Sequence, residues 1–356
     1  MEKNTLIIIA IFVVVAVTGL ILGLVLGLKK SDDEPKLQST SNVEIVNSYD
    51  NTEQLIKDFP VINNTTVHDG IEKNIQNRLL TGFANWNRGF EAWKAWGNIL
   101  YTKDSIYNVH GARLTLEHYQ EDMYETLGKM SIGMGNFNNM LIVGNYCAIY
   151  YDIIIGKNKG TTMEFVQFTD YGSPDNPDVR VVEGWGGVKD DTYYSSLARQ
   201  GTAEKQVQEE QNNFLLYYNP EGSNPTEKYF IKYPTNNDTN DRGFTKKISD
   251  GFEAWNKGND TYLKWVEENF YENATSKYGY TDRNMTQYKA AINKLFAEQN
   301  VTKLYLDNLL IRDNWVAIHY RYRSLDKKNT KVTFGDRMEF FKFDNETLRI
   351  VGNWIK

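Results

Sequence analysis

The chain opens on an unbroken apolar run. From Leu6 to Leu28 there are 23 consecutive residues without a charge, which as a helix would extend roughly 34 Å, enough to cross a bilayer core. The run passes straight into Lys29 and Lys30 with no small-residue cleavage site, so it predicts an uncleaved single-pass anchor over 6–28 rather than a removable signal. Lys3 and the amino terminus precede it and two lysines follow, which leaves the positive-inside count nearly balanced. The next stretch, 29–66, is polar and weakly patterned and predicts a tether.

Helical spacing then takes over. Ile71, Ile75, Leu79, Phe83, Trp86, Phe90 and Trp93 recur on one face, as do Phe244, Ile248, Phe252 and Trp255 further on, and such stripes seek a core. Second helices are predicted near Leu114–Leu127 and Met285–Phe296. After each comes strict alternation. One face of 315–323 carries Val316, Ile318, Tyr320 and Tyr322, and the other Trp315, Ala317, His319, Arg321 and Arg323. In the earlier run Cys147, Ile149, Tyr151, Ile153 and Ile155 share a face opposite Tyr146, Ala148, Tyr150 and Asp152. Helices first and strands afterwards is the α+β order.

The two halves repeat one another. The string GFEAW at Gly89–Trp93 returns at Gly251–Trp255, 162 residues on. At an offset of 169, Tyr119, Asn139, Leu141, Asn145 and Tyr151 match Tyr288, Asn308, Leu310, Asn314 and Tyr320. Met163-Glu164-Phe165 matches Met338-Glu339-Phe340 at 175, and Arg180, Val182 and Trp185 match Arg349, Val351 and Trp354 at 169 again. Two copies of one domain are therefore expected, over 67–187 and 242–356, joined by a linker, 188–241, with a short helical stretch near Ala203–Tyr218.

Composition narrows the rest. The net charge is -6 and no basic run interleaves with the aromatics, so the footprint of a nucleic-acid binder is missing. Asn63, Asn64, Asn237, Asn259, Asn273, Asn284, Asn300 and Asn345 each begin an N-x-S/T triplet, about twice the chance number, which favours a C-terminal body outside the cytosol and possible glycosylation sites there. The lone cysteine, Cys147, forbids an intrachain disulfide and reads as a core thiol.

With these residues in view, each copy resembles a SnoaL-like, polyketide cyclase-like domain of the nuclear transport factor 2-like superfamily. The resemblance rests on an aromatic first helix (GFEAWKAWGN, GFEAWNKGND), a glycine loop (NVHGA, KYGYT), a second helix, long strands (NWVAIHYRYRS, RMEFFKF) and a closing LRIVGNW. It implies two tandem cones, each a curved antiparallel sheet wrapped around helices with an apolar pocket at its wide end. Such domains include cyclases and ketosteroid isomerases as well as members that only bind or assemble. In the isomerase branch the proton-abstracting aspartate stands three residues before the loop glycine; Gly111 and Gly279 put Asn108 and Ser276 there, and neither is a base.

The remaining candidates follow from chemistry. His110 would be a mouth-facing base in the first cone, since imidazole titrates near neutrality, or simply a loop residue in solvent. Tyr278, Tyr280 and Tyr288 would line the second pocket or pack as core. His319 and Arg321, two apart on one strand face, would bind an anionic ligand or sit at a seam between the copies with Arg321 answering Asp152. Glu164 and Glu339 alternate with Met and Phe and are expected to be exposed. The four histidines offer no metal-ligand spacing, and Gly133-Met134-Gly135 lacks the third glycine of a dinucleotide fingerprint, so neither metal nor cofactor is expected. The reading is a membrane-anchored, non-enzymatic module for a hydrophobic small molecule or a protein partner, its two domains paired within the chain; the alternative is a cyclase or isomerase acting on a hydrophobic carbonyl compound.

Overall fold

The computed structural model describes residues 43–46, 52–109, 112–127, 132–155, 158–173, 177–186, 241–278, 281–328 and 332–356. The apolar run 6–28 and nearly all of the linker lie outside them. Among the described residues no helix is long and apolar enough to cross a membrane.

The first copy runs α1 (Thr52–Asp58), β1 (Val61–Asn63), α2 (Ile71–Asn87), α3 (Phe90–Leu100), β2 (Tyr101–Val109), β3 (Ala112–Thr115), α4 (Leu116–Leu127), β4 (Ile132–Val143), β5 (Tyr146–Ile155), β6 (Asn158–Asp170) and β7 (Val179–Gly186). The second runs α5 (Phe244–Lys257), α6 (Asn259–Asn269), β8 (Phe270–Tyr278), β9 (Thr281–Asn284), α7 (Met285–Glu298), β10 (Gln299–Arg312), β11 (Trp315–Asp326), β12 (Val332–Phe343) and β13 (Ile350–Ile355). The sheet orders are β1-β4-β5-β6-β7-β2-β3 and β10-β11-β12-β13-β8-β9. Most pairs are antiparallel, but β1 with β4, β7 with β2 and β13 with β8 run parallel, so each sheet is mixed rather than purely antiparallel. Bulges after Met134 and Phe137 in β4, and after Lys303 and Leu306 in β10, add the local twist that curls a sheet around its helices.

The helical stripe predicted from Ile71 to Trp93 is two helices. Gly89 (φ 104°) and Gly258 (φ 115°) stand between the paired helices of their copies, a backbone conformation that side chains with a Cβ resist. This break corrects the helical register of the repeat. GFEAW at Gly89–Trp93 begins α3, whereas its twin at Gly251–Trp255 lies inside α5. The true counterpart of GFEAWNKG is GFANWNRG at 82–89, again 169 residues away. Three contacts fix it. Gly82 lies under Trp96 and Gly251 under Trp265. Asn87 accepts from Met134 N (2.6 Å) and donates to Met134 O (3.0 Å). Asn256 does the same with Lys303 N (3.0 Å) and O (2.9 Å).

Each cone buries its own core. Ile75, Phe83, Trp93, Phe137, Cys147 and Ile149 belong to the first, and Phe244, Phe252, Trp265, Leu309, Ile318 and Phe343 to the second. A third apolar cluster joins them: Leu141, Tyr146, Ala148, Tyr150, Met163 and Phe165 pack against Leu310, Trp315, Ala317, Met338 and Phe340. Both faces of the central strands are thus buried, one in a cone and one at the seam. Arg312 crosses the seam, donating to Ile142 O (3.1 and 2.9 Å) and to Glu72 Oε1 (2.6 Å), and Thr66 donates to Asp313 through its N (2.8 Å) and Oγ1 (3.0 Å).

The far end of the stretch read as tether is built into this body. Leu55 and Phe59 enter the first core. Val46 exchanges hydrogen bonds with the Asn85 side chain (2.9 and 3.0 Å), and β1 pairs in parallel with β4.

Candidate functional site

Among the described residues, each cone holds one inward carboxylate, at equivalent positions. Glu164 lies opposite Ile149 and Glu339 opposite Ile318, so both share the cone-facing side of their strands, while Met163, Phe165, Met338 and Phe340 take the seam. The expected exposure of these glutamates is therefore wrong. Alternation separates two faces, but it does not say which is wet when neither is.

In the first cone Glu164 accepts the phenolic protons of Tyr107 and Tyr151. Burial raises its proton affinity, and the two phenol hydrogen bonds oppose that shift. Burial, reinforced by the Glu164 charge, pushes the phenols of Tyr101, Tyr107 and Tyr151 and the Cys147 thiol upward. Tyr107 stacks on Tyr119 at 4.3 Å, and Trp93 meets Tyr119 edge-on at 5.5 Å and Trp86 at 5.5 Å.

The second cone keeps the glutamate and the strand tyrosine but changes the rest. Tyr320 donates to Glu339 Oε1 at 2.6 Å. Ser276 takes the place of Tyr107, and Lys303 that of Met134. The Lys303 ammonium lies 4.0 Å from the same Glu339 oxygen. It faces the rings of Phe252 (4.9 Å), Trp255 (4.6 Å), Tyr262 (5.7 Å) and Tyr320 (4.8 Å), each within the reach at which a ring quadrupole attracts a cation. Tyr262 and Tyr288 share a hydrogen bond at 3.0 Å. Burial lowers the Lys303 proton affinity; the Glu339 charge raises it and the Arg337 charge lowers it further. Asn256 holds both backbone groups of Lys303, and Trp255 Nε1 donates to Val301 O at 2.6 Å, so the lysine stands on a fixed backbone just before a bulge.

The predicted residues scatter. His110 and Tyr280 lie outside the described residues. Tyr278 is 41% exposed at the end of β8, beside Arg283 (5.6 Å) and Arg337 (5.3 Å). Of the four described pocket candidates, Tyr288 alone sits in the cone interior. His319 is buried at the seam near Phe165 (6.0 Å) and Trp185 (6.1 Å), its Nδ1 3.1 Å from Asn308 Nδ2. Arg321 forks onto Asp307 within its own cone, and Asp152, its expected partner across the copies, accepts from Asn138. Of the sequon asparagines, Asn64, Asn273, Asn284, Asn300 and Asn345 are exposed. Asn63 and Asn259 donate to Asn138 O and Asn293 Oδ1, and Asn237 lies outside the described residues. The residues that sequence reasoning missed are Lys303, Tyr107 and Tyr262. The repeated Met-Glu-Phe motif was the one available pointer to the carboxylates.

No family model matches the chain, and no curated protein matches it. The solved structures to which it is similar include SnoaL-like polyketide cyclases and nuclear transport factor 2-like, ketosteroid isomerase-like folds. A protein of Jannaschia sp. CCS1 described as a SnoaL-like polyketide cyclase is 11% identical over 32% of this chain and 83% of its own, with a TM-score of 0.29. A Burkholderia pseudomallei nuclear transport factor 2-like protein of unknown function is 14% identical over 32% and 88%, with a TM-score of 0.27. A Catenulispora acidiphila protein with a ketosteroid isomerase-like fold, solved with trimethylamine, is 12% identical over 31% and 84%, with a TM-score of 0.27.

Proposed function

We propose that this protein is a small-molecule-binding module that forms its own dimer from two cones, is carried on an N-terminal membrane anchor and works outside the cytosol without catalysing a reaction. The observation that carries the reading is the contrast between Met134 and Lys303. At one position of one fold the first cone places an apolar side chain, and the second places an ammonium against four aromatic rings and a carboxylate. Hydrophobic packing alone does not call for that exchange, because a buried cation carries a desolvation cost that methionine avoids. The first cone, closed by Trp86, Trp93, Tyr107 and Tyr119, serves as scaffold and the second as receptor.

Native mass spectrometry of the full chain, released from detergent after purification from its own host, tests this reading. A retained small molecule, lost when Trp255 and Tyr262 are both replaced by Ala, is expected. A chain that carries nothing, and whose melting temperature does not respond to a panel of hydrophobic ligands, would refute it. The cyclase or isomerase alternative draws on Glu164. A carboxyl group whose proton affinity burial has raised, between two phenols, is equipped to exchange a proton with a carbon acid, and turnover abolished by Glu164→Gln would establish it.

A further inference from the structure

The lysine in the second cone is placed as a reactive amine as well as a structural cation. It is 6% exposed overall, while Val301 and Thr302, just before it in the strand, are only half-buried. Its backbone is held from both sides by Asn256, and its ammonium is 4.0 Å from a carboxylate that can take a proton from it. Lysines that form Schiff bases share these conditions: an apolar enclosure that favours the neutral amine and a neighbouring group that moves the proton.

We propose that Lys303 captures an aldehyde or ketone with a hydrophobic body as a reversible Schiff base, with Glu339 as proton carrier and counter-ion and the four rings as the seat of the apolar part. This rests on the reading of the second cone as a receptor and names its ligand class. The step balances without a further reagent. Glu339 takes a proton from the ammonium, and the freed lone pair bonds to the carbonyl carbon as the carbon–oxygen π pair moves onto oxygen. The oxygen collects two of the three ammonium protons in all, by way of Glu339, and leaves as water while nitrogen closes the double bond to carbon. An ammonium and a carbonyl thus become an iminium and one water, and the positive charge stays between the rings and Glu339, where the ammonium had been. Burial of Lys303 lowers its proton affinity, which raises the free-amine fraction near neutrality. The first cone is a built-in control, since Met134 cannot form this bond.

The test treats the full chain in detergent with octanal, matched to the protein concentration at neutral pH, with sodium cyanoborohydride to reduce any imine to a stable amine. Peptide mapping then gives the occupancy of each lysine. Lys303 is expected to be labelled several-fold above the average of the other lysines. Lys303→Arg, which keeps the cation in the box but cannot form the imine, should leave only background labelling, and Lys303→Met should do the same. Labelling spread evenly over surface lysines with Lys303 untouched would overturn the proposal, as would labelling that survives in Lys303→Arg. The two readings can be told apart. A ligand retained without covalent attachment in native mass spectrometry, with Lys303 unlabelled, would end the Schiff base and leave the receptor standing; no retained ligand and no labelling would end both.

Discussion

Arg312→Met offers the most direct probe of how the two cones are joined. Arg312 closes β10 of the second cone, yet its guanidinium lies against the first, on Ile142 O and Glu72 Oε1. The two side chains are 3% and 7% exposed. Glu72 also accepts from Gly144 N and His68 N, each at 2.8 Å. Removing one partner of a buried pair costs about 3 to 5 kcal/mol, because the other charge stays desolvated. The two backbone amides still on Glu72 place the expected loss near the lower end, about 3 kcal/mol, a large share of the roughly 5 to 15 kcal/mol that holds a domain folded. Urea unfolding of wild type, Arg312→Met, Glu72→Gln and the double variant would measure it. The double variant should lose about 2 kcal/mol less than the sum of the singles, since the second change removes the charge that the first left stranded. The Arg312→Met protein should also melt in two calorimetric steps as the cones uncouple. A loss below about 1 kcal/mol, or additivity within about 0.5 kcal/mol, would refute the assignment of the pair as the tie across the seam.

Three further outcomes follow from paired features of the cones. Asn87→Ala and Asn256→Ala each remove two side-chain hydrogen bonds to one strand residue and should each cost about 2 kcal/mol in urea unfolding; a loss in only one cone would break the equivalence of Met134 and Lys303. Gly82→Ala and Gly251→Ala bring a Cβ to 2.5 Å of Trp96 and 2.7 Å of Trp265, and overpacking of that kind costs about 1 to 3 kcal/mol, readable as matched falls in the urea midpoint. Glu164 holds its proton more tightly folded than unfolded, so its contribution is full below the ordinary carboxylate value of about 4.3 and is lost as pH rises through the folded value. The stability of wild type relative to Glu164→Gln should therefore fall with rising pH across that window and then level off, and parallel pH profiles for the two proteins would contradict it.

Much of this architecture was legible in the chain, and the errors have physical causes. Strand faces could be read from alternation because a pleat sends successive side chains to opposite sides: Cys147, Ile149 and Tyr151 do share one core, and Tyr146, Ala148 and Tyr150 do share the seam. The same rule failed at Glu164 and Glu339. Met and Phe on one side and Glu on the other normally mean inside and outside, but a sheet that packs helices on one face and a second sheet on the other has no outside along its middle strands. The longest identical string was the misleading one. GFEAW aligns by letters at 162, while the fold aligns Gly82, Phe83, Trp86, Asn87 and Gly89 with Gly251, Phe252, Trp255, Asn256 and Gly258 at 169. Those positions are held in common by a close approach to a tryptophan ring, a clamp on a strand and a positive φ, requirements that leave spaced single letters rather than a run. Lys303 was hidden for a related reason. A lysine in a strand reads as solvent-facing until a bulge and an asparagine clamp are known to direct its backbone. Once Met134 and Lys303 are seen to occupy one position in two copies of one fold, the substitution marks where the cones part: an apolar side chain in the first, and in the second a buried ammonium beside a carboxylate and four rings.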